Sequence, residues 1–182
     1  MDIEKTFIED LIILTPSVFE DARGSFFESF NSNTFRDLGV NFQFVQDNQS
    51  FSKKGTIRGL HYQNPPFAQT KLVRVLQGQI MDVAVDLRKD SPTYGKSFSV
   101  ILSDTNRKQL LVPQGFAHGF SVLSDTASVL YKCDQFYNKI AEGGIKFDDP
   151  SLHIDWGIDI EKAIVSEKDR ILPFMGECNS EF

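Results

Sequence analysis

The residues of this chain whose types and positions invite chemistry are few. His61 lies in Arg58-Gly59-Leu60-His61-Tyr62-Gln63, and His118 lies in Pro113-Gln114-Gly115-Phe116-Ala117-His118-Gly119-Phe120. The third histidine, His153, stands near Asp155 and Trp156 in no recognisable motif. An imidazole titrates near neutral pH, so each is a candidate proton acceptor, and each can equally be a structural histidine. In Lys71-Leu72-Val73-Arg74-Val75-Leu76, strand alternation puts Lys71, Val73 and Val75 on one face and Leu72, Arg74 and Leu76 on the other. Either face carries a cation among apolar residues. A cation turned inward must be paired or used, and one at a strand edge snorkels to water. In Thr126–Cys133, Ala127, Val129, Tyr131 and Cys133 share a face, which turns the Tyr131 phenol inward. A buried phenol needs a hydrogen-bond partner, and it can also deliver a proton.

Two histidines raise the question of a metal. His61 and His118 are far apart, and neither has a second His or a carboxylate at i+2 or i+4. A metal site needs three or four ligands, so the reading is no metal.

The elements that must position these side chains are mostly strands. Turn signals recur at short intervals: Arg23-Gly24, Asn64-Pro65-Pro66, Gln77-Gly78, Ser91-Pro92, Tyr94-Gly95, Pro113-Gln114-Gly115 and Gly143-Gly144. Such spacing predicts an antiparallel sandwich or barrel. In Gln79–Leu87, Met81, Val83, Val85 and Leu87 form one face, which is expected to meet a core, and Ile80, Asp82, Ala84 and Asp86 form the other. Phe98, Val100 and Leu102 alternate with Ser99 and Ile101 in a further strand. Helix is scarce. One short helix is expected over Asn33–Gly39, and a second near Ser166, where Ser166-Glu167-Lys168-Asp169 has the capping-box pattern and Pro173 is the stop.

The 182 residues suit one domain, 1–182, with a loose tail expected over 176–182. The 17 Phe fit a β-rich core. A net charge of −6 argues against a general nucleic-acid binder, and an anionic small substrate would need a local cluster of Arg and Lys. Cys133 and Cys178 suggest no disulfide framework and read as free thiols of a reducing compartment. No signal peptide and no apolar run of about 20 residues is visible, so the expected location is cytoplasmic, away from membranes.

The stretch Pro113-x-Gly115-x-x-His118 resembles the second motif of cupins, which are jelly-roll barrels. The first cupin motif supplies two His and a Glu to a metal; here His61-Tyr62-Gln63 lacks the second His, as in a cupin that has lost its metal. From about Ile8 to Pro173 the chain resembles one family, the dTDP-4-dehydrorhamnose 3,5-epimerases. The matching motifs are Asp21–Phe30, Phe44–Asn48, Arg58–Gln63, Lys71–Arg74, Asp82–Arg88, Ser91–Thr93, Pro113–Phe120, Leu130–Cys133, Asp148–Pro150 and Ser166–Asp169. Each is weak alone; their order together is specific. The resemblance implies a mainly β, cupin-like antiparallel jelly roll with a few short helices.

It also implies a substrate, dTDP-4-keto-6-deoxyglucose, whose C4 ketone acidifies the hydrogens on C3 and C5. Epimerisation removes such a proton, passes through an enolate, and returns a proton to the opposite face. By the family pattern His61 is the base, Asp169 the carboxylate that orients it, Lys71 the cation beside the enolate oxygen, and Tyr131 the acid on the other face. The diphosphate or sugar would meet Arg23, Arg58 and Lys168, with Glu28, Gln46, Asp47 and Asn48 nearby. Tyr137 matches a residue that stacks on thymine, and His118 and Glu142 match contact positions, although Glu142 also reads as a solvated loop charge. The resemblance implies no cofactor, and a homodimer formed partly by sharing N-terminal strands.

One tension remains within the pattern. In a regular strand Arg58 and His61 would point to opposite faces. Either Gly59 marks a bulge that re-aims one of them, or one ligand comes from a neighbouring subunit. The competing functions are an epimerase of C3 alone or C5 alone, a metal-dependent cupin enzyme, and a non-catalytic sugar-nucleotide binder. The joint presence of His61, Lys71, Tyr131 and Asp169 speaks against the binder.

Overall fold

The computed structural model describes residues 1–182. In chain order the strands are β1 (Asp2–Lys5), β2 (Ile12–Thr15), β3 (Phe19–Asp21), β4 (Gly24–Phe26), β5 (Gln46–Lys53), β6 (Ile57–Gln63), β7 (Lys71–Gln77), β8 (Gln79–Asp86), β9 (Ser97–Ser103), β10 (Gln109–Val112), β11 (Phe116–Val122), β12 (Thr126–Cys133) and β13 (Glu142–Gly144). The α-helices are α1 (Ser32–Asp37) and α2 (Glu167–Arg170). A six-stranded sheet runs β1-β2-β10-β7-β12-β5, a five-stranded sheet runs β13-β6-β11-β8-β9, and β3 and β4 form a separate hairpin. Strand pairing within the sheets is antiparallel throughout, as expected for a jelly roll.

Both sheets are covered on both faces. Between the sheets, Val73, Val75, Leu110 and Val129 meet Ile80, Ala84, Phe120 and Leu102. Outside the five-stranded sheet, Val83, Val85, Leu87 and Ala117 pack on Phe147, Leu152, Trp156 and Met175 from the C-terminal segment. Outside the six-stranded sheet, Leu14, Leu72 and Leu111 pack on Phe35 and Val40, with Phe30, Phe42 and Phe44 alongside. The alternation in β8 is therefore right. Its apolar face, however, meets the outer, C-terminal core, while Ile80, Asp82 and Ala84 line the interior.

The two buried acids of that strand meet different fates. Asp86 is saturated: it accepts from Arg88 Nε at 2.9 Å, Ser91 Oγ at 2.6 Å and Thr93 Oγ1 at 2.7 Å. The sequence motif Asp86–Thr93 is thus a structural clamp on a turn.

Both expected helices form. Asn31 caps α1 by accepting from Asn33 N and Thr34 N, Phe35 anchors the helix, and Gly39 follows its end at φ +82°. In α2, Ser166 Oγ accepts from Asp169 N, but the reciprocal half of the capping box is absent because the Asp169 carboxylate is engaged elsewhere. The tail expected to be loose is instead packed. Tyr62 Oη donates to Asn179 Oδ1 at 3.0 Å, Lys89 Nζ donates to the Ser180 carbonyl at 3.0 Å, and the Phe182 ring lies edge-on to Tyr62. The polar run Glu177, Asn179, Ser180 and Glu181 reads as a solvated tail, which hid the contacts of Asn179, Ser180 and Phe182 that hold it.

Candidate active site

A cleft opens between the sheets in two lobes of about 640 and 360 Å³ that share His61, Lys71 and Tyr131. Strand register explains the grouping. In β12, Tyr131 pairs with Val73 and Cys133 with Lys71, so the Lys71 face of β7 and the Tyr131 face of β12 are one inward face. On the other side of β12, Tyr131 pairs with Asn48 and Cys133 with Gln46, which brings Gln46 and Asn48 to the smaller lobe.

From the five-stranded sheet come His61 and Arg58. Between them β6 carries one residue more than β11: His61 pairs with His118 and Arg58 with Phe120. Two residues on β6, Gly59 and Leu60, stand opposite one on β11, Gly119, so both side chains emerge on the inner face, as a bulge requires. Gly59 makes this feasible. It sits at φ +119°, and a Cβ there would lie 2.6 Å from Gly119 Cα. The bulge alternative is therefore the one this chain adopts for Arg58, without recourse to another subunit.

Asp169, on α2, reaches over the cleft to place Oδ1 2.7 Å from His61 Nε2, while its Oδ2 accepts from Gly59 N at 3.3 Å. Burial works to raise the Asp169 pKa. The hydrogen bond and charge of His61, with the Gly59 amide and Ser166, outweigh it and hold the carboxyl below the usual carboxylate range. Asp169 is thus an anion at neutral pH, fit to orient an imidazole and steady its cation. Tyr131 lies on the wall opposite His61. Its hydroxyl joins no protein hydrogen bond, and burial first, then Cys133, pushes its pKa up, so the phenol keeps its proton. Only Arg58 pulls the other way. Lys71 Nζ lies 3.5 Å from the His61 carbonyl; burial lowers its pKa, which Cys133, Asp82 and Glu142 offset only in part. Such an arrangement suits proton removal on one side of a flat carbonyl substrate, proton delivery from the other, and a cation between for a developing oxyanion.

Cations converge here inside an acidic whole: Lys53, Arg58, Lys71 and Lys168 all line the larger lobe. Arg58 is steadied by Ser52 Oγ, which accepts from Nε at 3.0 Å. Glu142 is no solvated loop charge. It accepts from Lys168 Nζ at 2.6 Å and from Tyr137 Oη at 2.9 Å, tying α2 to the exposed Tyr137 loop. Tyr137 is also held by Gln46 Oε1, which accepts from its backbone N at 3.1 Å.

Three expected contacts fall outside this chain's own cleft. Asp47 alternates with Gln46 and Asn48, so it faces outward and pairs with Lys132 Nζ at 3.0 Å. Arg23 sits on the β3–β4 hairpin with its side chain 90% exposed, held only by Asp21. Glu28 accepts from Asn31 Nδ2 at 2.9 Å, beside α1. Conversely, sequence reasoning gave no role to Asp82, whose Oδ1 lies 2.9 Å from Nε2 of the buried His118. Alternation hid it: the apolar Met81 set was expected to face the core, and only the outer layer over that set turns Asp82 inward. No three His, Cys, Asp or Glu side chains cluster as metal ligands.

The model of the dTDP-4-dehydrorhamnose 3,5-epimerase family matches residues 5–177. The dTDP-4-dehydrorhamnose 3,5-epimerase of Shigella flexneri is 51% identical over 170 residues, 93% of each chain. The crystal structure of dTDP-4-dehydrorhamnose 3,5-epimerase from Elizabethkingia anophelis aligns with a TM-score of 0.93 at 51% identity over 97% of each chain. That of dTDP-6-deoxy-D-glucose-3,5-epimerase from Legionella pneumophila, in complex with dTDP-4-keto-L-rhamnose, aligns at 0.92 with 45% identity over 97% of this chain and 93% of that one. Matched along nearly its whole length and folded as the cupin-type jelly roll of those enzymes, this chain is an isomerase that belongs to the dTDP-4-dehydrorhamnose 3,5-epimerase family.

Proposed function

We propose that this chain converts dTDP-4-dehydro-6-deoxy-D-glucose to dTDP-4-dehydro-β-L-rhamnose by inverting C3 and C5. The observation that carries the reading is the His61–Asp169 pair at 2.7 Å, set across the cleft from a phenol with no protein partner. His61 takes the proton from the carbon beside the ketone, Lys71 faces the enolate oxygen, and Tyr131 returns a proton from the other side. Arg58 and Lys168 receive the diphosphate, Tyr137 the thymine, and Gln46, Asn48, His118 and Glu142 the remaining polar groups. No metal or organic cofactor enters this scheme. Incubation with the 4-keto sugar in D₂O, followed by NMR at C3 and C5, tests it. Deuterium with inversion at both carbons is expected, and turnover is expected to survive chelation. No exchange at either carbon refutes the reading, inversion at one carbon alone assigns a single-site epimerase, and loss on chelation restored by a divalent ion assigns a metal enzyme.

The working unit in this proposal is a cytoplasmic homodimer. The β3–β4 hairpin supports the dimer: it stands apart from the barrel, with Phe19 and Phe26 exposed by 67% and 72%, and carries Arg23 away from its own cleft. Arg23 and Glu28 then serve the partner's cleft. Two free thiols and the absence of any helix long and apolar enough to cross a membrane are compatible with the cytoplasm.

A further inference from the structure

Asp82 has no part in the proton transfers above, yet it is fully buried and faces the interior from β8. Its Oδ1 lies 2.9 Å from His118 Nε2, and its Oδ2 has no partner at all. Asp86, four residues on along the same face and equally buried, shows what a carboxylate held for stability looks like here: both oxygens are covered by Arg88, Ser91 and Thr93. A half-satisfied buried carboxylate is destabilising, and its retention beside the cleft calls for a use. The neighbouring imidazole supplies one. His118 lines the larger lobe, pairs across the strands with His61, and its ring makes no protein hydrogen bond except that to Asp82. A carboxylate only accepts, so the His118 proton on that side sits on Nε2, and Nδ1 is the nitrogen left over.

We propose that Asp82 is a positioning residue of the epimerase reaction, holding His118 with its proton on Nε2 so that Nδ1 accepts from a hydroxyl of the 4-keto sugar. This rests on the epimerase reading above. It requires that Asp82 act through His118. Removing the carboxylate frees the ring to adopt the other tautomer, which puts a donor at Nδ1 in place of the acceptor while leaving the cleft's shape in place.

Two measurements test it. The first reads ring-nitrogen NMR on the wild-type protein labelled with ¹⁵N-histidine, the His118 signals being assigned by their loss in His118→Asn. A proton on Nε2 is expected, and a proton on Nδ1 alone overturns the proposal whether or not any variant folds. The second is a kinetic cycle. Asp82→Asn is expected to lower kcat/KM by on the order of 10²-fold, the low end for a positioned acid or base. Asp82→Asn combined with His118→Ala is then expected to be no worse than His118→Ala alone, within about threefold. Full activity in Asp82→Asn, or losses that multiply in the double variant, overturns the proposal; multiplication would assign Asp82 to Lys71 instead. A wild-type protein that does not turn over the 4-keto sugar refutes the epimerase reading and leaves the tautomer result standing on its own.

Discussion

Tyr131→Phe removes one oxygen that has no hydrogen-bond partner in the protein, so its effects on stability and on chemistry separate. No buried donor or acceptor is orphaned by the change, and the buried phenol loses a desolvated hydroxyl. Stability should shift by no more than about 1 kcal/mol. The chemistry should suffer far more. A positioned acid contributes on the order of 10²–10⁴ in rate, which is about 2.7–5.4 kcal/mol of barrier. His61 is untouched by the substitution, 2.7 Å from Asp169, so it still removes the proton and hands a solvent-derived one back to the same face. In D₂O the variant should therefore exchange deuterium while product falls steeply. His61→Ala should do the opposite on both counts. Exchange stops at C3 and C5, because abstraction begins each inversion. Stability drops by about 1–3 kcal/mol, because the buried Asp169 keeps only Gly59 N and Ser166 as company. Quench-flow NMR of both variants at C3 and C5, beside urea titrations, reads all four quantities. Equal loss of exchange and inversion in the two variants refutes the assignment of acid and base to opposite walls, and normal exchange in His61→Ala refutes the mechanism.

The other predictions concern the partner, the phosphate, the core and acid. Arg23→Ala and His61→Ala chains, each inactive alone, should recover activity when mixed under conditions of subunit exchange, since one cleft of the mixed dimer is then intact; no recovery means Arg23 serves its own chain or none. Arg58→Ala should weaken dTDP binding by roughly tenfold or more, the loss of a charge-assisted contact worth about 1.5–3 kcal/mol, and calorimetry showing wild-type affinity removes Arg58 from the phosphate site. Phe35→Ala should cost about 3–5 kcal/mol in urea titration, because the ring is 2% exposed under the six-stranded sheet. Phe7→Ala, at 64% exposure, should stay within about 0.5 kcal/mol, and equal effects of the two contradict the packing described. Burial works to raise Asp86, Asp149 and Asp169, but hydrogen bonds to Arg88, to Ser151 and the Met175 amide, and to His61 bring all three below their ordinary 3.8. Depressed folded-state values mean stability that is complete above that value and lost as pH falls through the lowered ones, so the urea midpoint should drop below pH 3.8, less steeply in Asp86→Asn. A drop of the same size in Asp86→Asn assigns the acid transition to other groups.

Much of this was legible because a strand has a period of two. The grouping of Lys71 with Val73 and Val75, and of Tyr131 with Ala127 and Val129, follows from alternation; which face of β7 turns inward is decided by register, which merges the two sets into one wall. The same rule, applied to β5, turns the Asp47 side chain to the outer face, since Gln46 and Asn48 take the inner one; reading the motif as a block of three concealed that. Alternation failed where the chain departs from period two. Arg58 and His61 share a face only because β6 holds an extra residue at Gly59, and that glycine was the visible warning. Alternation is also silent about what covers a face. In β8 it located the apolar side correctly, but whether that side meets the barrel interior or an outer layer depends on the C-terminal segment around Trp156, more than sixty residues away in sequence.

The catalytic pair shows the same limit at closer range. His61 and Asp169 are separated by 108 residues, and no local pattern links them. What the sequence does hold is the capping box at Ser166, which predicts the short helix and would consume the Asp169 carboxylate on the cap's own backbone N–H. The structure makes only the serine half. Ser166 Oγ still fixes the helix start through Asp169 N, so the carboxylate is freed without unwinding the turn, and the cleft then offers it His61 Nε2 and Gly59 N, two donors in place of one. Gly59 is thus used twice: its bulge aims Arg58 and His61 into the cleft, and its amide holds the anion that orients His61. A side chain at position 59 would meet the β11 backbone and should disturb both, so loss of activity in Gly59→Ala should exceed what either Arg58→Ala or Asp169→Asn produces separately.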